Sequence, residues 1–160
     1  MKIKIKNIIS PLLFIVICLG VGYLSNILSG NNAKEVYASF ANPGFFPPAW
    51  IFAPVWFVLY VLMGIAVSII WEKKKNKNVD KQLGLFFLQL FVNFLWSIIF
   101  FGINNYLAAL LLIILLFVLI VATMLSFEKE SKKATYLLVP YMVWVGFAMI
   151  LNYTVWFLYR

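Results

Sequence analysis

Of the chain's 160 residues, 65% are hydrophobic, 19% aromatic and only 11% charged, whereas a soluble domain is about half apolar and a quarter charged. The chain therefore reads as an integral membrane protein. Its net charge of +8 does not imply nucleic acid, because the lysines sit in short clusters between apolar runs, with no basic groove interleaved with aromatics. With no histidine, His-ligated haem, zinc sites and Ser-His-Asp triads are excluded, and no metal centre is expected. The single cysteine, Cys18, lies inside an apolar run and excludes an intrachain disulfide.

In chain order, five uncharged apolar segments reach the roughly 20 residues a helical span requires. They cover approximately 8–28, 44–71, 83–101, 106–127 and 134–158. Peptide groups in hydrocarbon must be paired within their own segment, so all five are expected as helices. The expected fold is an all-α bundle of five transmembrane helices, one domain over 1–160. The start, "MKIKIKNIISPLLFIVICLGVGYL", has the basic and apolar regions of a signal peptide. Its apolar run is long, however, and no A-x-A pattern follows, so the first helix is expected to be retained.

The N-terminus and the second and fourth connectors hold 11 of the 13 basic residues, leaving Lys34 and Arg160 for the other side. The positive-inside rule then puts the N-terminus in the cytoplasm and the C-terminus outside. The first connector, 29–43, is the one long loop. Its "AKEVYASF" stretch can form a short amphipathic turn with Val36, Tyr37 and Phe40 toward the bundle, as a lid over a cavity or as a solvated tether.

The second segment, "FFPPAWIFAPVWFVLYVLMG", combines Pro47, Pro48 and Pro54 with Trp50, Trp56 and Tyr60. Pro47 and Pro48 suit a helix start. Pro54 is expected to bend the helix and open space among its neighbours. Interfacial belts explain Trp50, Trp71, Trp156 and Tyr159, but Trp56, Tyr60, Trp96 and Trp144 lie deeper and should face other helices. Two polar-aromatic stripes follow: Gln89, Asn93 and Trp96 with Ser97 on the third segment, and Tyr141, Trp144, Ala148 and Asn152 on the fifth. Carboxamides in lipid must be paired, so both stripes look inward, either to bond helices together or to line a ligand site. All five acids lie in connectors, which gives proton-relay transport little support, and there is no carboxylate pair, nucleophile-base arrangement or Gly-rich phosphate loop.

Three stretches, "FFPPAWIFAPVWFVLYVLMGIA", "QLFVNFLWSIIFFG" and "VPYMVWVGFAMILNYTVW", closely resemble the translocator protein family, also called tryptophan-rich sensory protein or peripheral-type benzodiazepine receptor, in its bacterial-type form. The resemblance covers all five spans in order. It implies a dimeric five-helix bundle in a bacterial cell membrane that binds porphyrins and synthetic lipophilic ligands in a pocket under the first loop. Porphyrin would be ligand or substrate, with no resident cofactor.

By motif position, the resemblance implies a pocket drawing on Pro47, Pro48, Ile51, Trp56 and Tyr60, on Asn93 and Trp96, and on Trp144, Ala148 and Leu151, with Tyr37 reaching down from the loop. It also implies a light- and oxygen-dependent porphyrin breakdown in which Trp56 and Trp144 would take part. A sensor, such an enzyme, and a transporter of lipophilic molecules are the three functions in play. The chain departs from the family pattern at Phe45, where W-x-P-P has tryptophan, at Ala53 within F-G-P-V-W, and at Ile98, where proline commonly follows W-S. The segment linked to cholesterol in animal relatives is not matched, because six residues separate Tyr153 from Arg160.

Overall fold

Each apolar run folds as a helix whose ends are set by local chemistry. The computed structural model describes residues 6–40, 44–75 and 78–160, and among these the regular structure is helical throughout. Helix α1 (Lys6–Leu28) stops at Gly30, whose φ of +88° suits glycine. There the Gly30 and Asn31 amides donate back to the Ile27 and Asn26 carbonyls at 3.0 Å each, a Schellman closure of the helix end. A one-and-a-half-turn helix, α2 (Ala33–Ala38), follows in the first connector.

The second span differs from its expected 44–71 extent. Residues 44–48 approach as non-helical chain, Ala49–Ile51 make one 3-10 turn, and α3 (Phe52–Lys73) begins only then. Pro54 consequently falls in the first turn of α3, where its missing N–H leaves no intrahelical bond unmade. Pro54 thus breaks no interior helix bond, and a change of helix type lies just before it.

Helix α4 (Asp80–Ser97) runs directly into a π-turn, Ile98–Gly102, closed by the Ile103 amide on the Ile98 carbonyl at 3.0 Å. Helix α5 (Tyr106–Glu128) is capped by the Asn105 side chain, which accepts from the Ala108 amide at 3.0 Å. Helix α6 (Lys132–Leu158) is capped by Ser131 in the same way. The five long helices are long and apolar enough to cross a membrane. They close a ring in the order α1, α3, α6, α5, α4, back to α1. The packed interior toward the lysine-rich end is apolar, with Met63, Val67, Ile70, Phe86, Phe127 and Leu138 fully buried.

Candidate functional site

Helices α1 and α3 set the shape of the site. A Cβ on Gly64 would lie 2.6 Å from the Ile15 backbone, so the two helices touch there as only glycine permits. One to two turns nearer the loop end, Gly22 rests against the Tyr60 ring. From Leu19 and Gly22 toward the loop end, a cavity of about 760 Å³ lies between α1, α3 and α4 beneath α2. Small-molecule pockets span about 300–1,000 Å³, so this hollow is large enough for a sizeable ligand.

Its walls are mostly rings. Phe52, Trp56, Phe57 and Tyr60 come from α3, Trp50 from the 3-10 turn, and Trp96 and Phe101 from α4 and the π-turn. Leu19, Gly22, Tyr23, Ser25 and Asn26 of α1 face them, and Asn31, Ala33, Lys34 and Tyr37 close the loop end. The most exposed large apolar wall residues are Tyr23 at 71%, Trp50 at 69% and Phe57 at 58%. They lie on α1, the 3-10 turn and α3, and Asn26, Asn31 and Lys34 at the loop end are exposed as well.

The roof is held by Tyr37. Its hydroxyl donates to the Pro47 carbonyl at 2.8 Å, and its ring packs on Phe52 at 4.6 Å and on Phe46 at 5.9 Å. Burial pushes the Tyr37 phenol up to about 12, because the charged form would lose its hydration. Next to it, Phe40 is buried against Phe100, Tyr106 and Tyr159. The π-turn divides two consecutive rings between tasks: Phe100 packs inward on Trp96 at 5.4 Å, while Phe101 borders the cavity.

The floor is a hydrogen-bonded network. Tyr60 donates to Asn93 Oδ1 at 2.9 Å, Asn93 Nδ2 donates to the Tyr141 hydroxyl at 3.1 Å, and Tyr141 donates to Gln89 Oε1 at 2.8 Å. Nearby, Trp96 Nε1 donates to Asn152 Oδ1 at 3.0 Å, and Asn152 Nδ2 donates to the Tyr106 carbonyl at 3.0 Å. The polar members of both stripes therefore join α3, α4, α5 and α6 to one another. Two buried groups, Gln89 Nε2 and Trp144 Nε1, find no partner among the described residues.

Of the residues implicated by motif position, the cavity wall gathers Tyr37, Trp56, Tyr60, Asn93 and Trp96. Pro47 serves through its carbonyl as the anchor of Tyr37, and Pro48 leads into the 3-10 turn that ends at Ile51. Trp144, Ala148 and Leu151 belong to α6, on the far side of α3 from the hollow. Trp144 packs on Phe52 at 5.5 Å, and Phe52, unlike Trp144, borders the cavity. Sequence reasoning drew no cavity wall from α1. The available signal was the polar run Ser25, Asn26, Ser29 to Asn32 closing an otherwise apolar helix whose facing residues include Gly22.

The sequence model of the TspO/MBR family matches residues 14–157, a stretch that contains every wall of the cavity. The chain belongs to the TspO/MBR family. Among relatives, the Tryptophan-rich protein TspO of Chlorobaculum tepidum is 40% identical over 151 residues, covering 94% of this chain and 96% of that protein. The protein of the same name from Archaeoglobus fulgidus is 38% identical over 152 residues, covering 95% and 98%. The Translocator protein of Bos taurus is 38% identical over 137 residues, covering 84% and 81%. Membership and five apolar helices together make this TspO/MBR chain an integral membrane protein.

Proposed function

We propose that this TspO/MBR protein is a membrane receptor that binds porphyrins and other flat lipophilic ligands in the cavity beneath α2, with α2 as its lid. The observation that carries this reading is the hollow of about 760 Å³ bordered by Tyr37, Trp50, Phe52, Trp56, Phe57, Tyr60, Trp96 and Phe101. Ring faces stack on a macrocycle and remove its apolar surface from lipid and water. Tyr60 and Asn93 already satisfy each other, so recognition rests on shape and stacking more than on an amide aimed at the ligand. With no histidine, no axial imidazole is available, and metal-free protoporphyrin should bind within about tenfold of haem.

Titrating purified protein with protoporphyrin and following Trp fluorescence and Soret absorbance tests the reading. Saturable binding, displaced by a flat lipophilic competitor, is the expected result; no saturable binding would sink it. Trp56 borders the cavity with its ring 5.5 Å from Tyr60, which favours a second reading. An indole against a photoexcited macrocycle is a ready electron donor, so illumination in oxygen should convert bound porphyrin to new pigments. A transporter would instead move porphyrin across sealed vesicles in the dark.

The lysine distribution supports a cytoplasmic N-terminus. Cysteine in place of Asn31 should then react with an impermeant maleimide in intact cells, and in place of Asn78 only after permeabilisation. Both positions are exposed, and the native Cys18 is fully buried, so it adds no background.

A further inference from the structure

The cavity is chemically lopsided. Its depth is rings with Asn93 and Ser97, where Asn93 is bonded to Tyr60 and Tyr141, whereas its loop end carries Ser25, Asn26, Asn31 and Lys34. Most of those polar groups are already engaged: Ser25 donates to the Phe94 carbonyl at 3.3 Å, and Asn26 Nδ2 donates to Asn31 Oδ1 at 2.6 Å. Lys34 is different. It is the charged residue of the described wall, and among the described residues it has no ion-pair partner. Glu35 follows it in α2, but successive residues of a helix point about 100° apart and do not face each other.

We propose that Lys34 is a specificity-determining residue that selects lipophilic ligands bearing a carboxylate at one end. This inference rests on the cavity being a ligand site. The apolar body lies among the rings, and the acid stays at the rim beside the Lys34 ammonium. Lys34 is exposed there, so neither charge has to leave water to make the pair. An exposed ion pair contributes little, which sets the expected size of the preference at about fivefold.

The test compares protoporphyrin, a diacid, with its dimethyl ester on wild type, Lys34→Met and Lys34→Glu in the same detergent. The readout is the ratio of ester Kd to acid Kd, which cancels differences in partitioning between variants. Wild type should favour the acid about fivefold at low salt and less at high salt, as expected for an exposed pair. Lys34→Met should bring the ratio down several-fold, and Lys34→Glu should lower it further. If all three proteins bind both ligands with one ratio, Lys34 does not select the acid, while the cavity reading survives. If wild type binds neither ligand, the binding reading fails and this inference fails with it.

Discussion

The two sides of α3 near its loop end use the same kinds of side chain for opposite results. Toward α6, rings fill space: Phe52 meets Trp144 at 5.5 Å, and Trp56 meets the fully buried Tyr141 at 6.3 Å. Toward α1, Phe52, Trp56 and Tyr60 border a hollow. Ring chemistry does not separate the two sides. What borders the rings does: α1 touches α3 closely at Ile15 and Gly64, while nearer the loop end Leu19, Gly22, Tyr23, Ser25 and Asn26 of α1 and Ala33, Lys34 and Tyr37 of α2 line the hollow. The same rings thus border filled space on one side of α3 and a hollow on the other, and the close contact of Gly64 with Ile15 is the point at which the spacing of α1 and α3 can be tested.

The strongest way to break this comparison is at the contact itself. Gly64→Val should cost about 3 kcal/mol of stability, because the added methyls meet backbone atoms that cannot move aside alone. Gly20→Ala should stay within about 0.5 kcal/mol, since the added methyl would have no neighbour within 4 Å. Thermal unfolding in one detergent compares them. Equal Tm values would mean that the Ile15–Gly64 contact does not set the spacing.

A smaller effect should separate the floor network from the ligand. Asn152→Leu strands the Trp96 indole N–H and should cost about 2 kcal/mol by the same unfolding measurement. Asn152 does not line the cavity, so porphyrin affinity of the folded fraction should change less than about twofold, well under the tenfold that 1.4 kcal/mol represents. A large affinity loss at unchanged stability would place Asn152 in the binding site instead.

A crossed pair sharpens the difference between hollow and filled sides. Ala53→Leu projects into open space on the cavity wall, so it should lower porphyrin affinity about tenfold and leave Tm nearly unchanged. Ala148→Leu overfills the buried α6 side and should cost about 1.5 kcal/mol of stability with affinity unchanged. The opposite pattern would show that the ligand sits against α6.

The smallest expected effect concerns photochemistry. Trp56→Phe should slow light-dependent loss of bound porphyrin about fivefold, a change of about 1 kcal/mol in barrier, because the indole at the wall is replaced by a poorer electron donor. Trp144→Phe, at a residue that packs on Phe52 and does not line the cavity, should change the rate less than about twofold, under half of that barrier change. Absorbance decay under fixed illumination gives both rates. Equal slowing would make the two tryptophans one unit.

Much of this was legible in the chain. Five uncharged apolar runs admit only helices in lipid. The deep polar residues had to find partners, and the Asn93 and Asn152 bonds show them joining helices. The 3-10 turn before α3 and the π-turn after Ser97 were not legible, because no residue type demands either, and packing around Phe100 and Phe101 decides the register.

Sequence alone therefore determined the membrane class, the number of spans, the family motifs and which side chains must be buried, because hydration and hydrogen-bond costs act on each residue wherever it sits. Only the tertiary structure decided that the hollow lies between α1, α3 and α4, and that Trp144 packs on Phe52 without lining it. The physical reason is that empty space belongs to no residue: it is what remains when helix spacing, set by contacts such as Ile15 with Gly64, exceeds what the side chains between can fill.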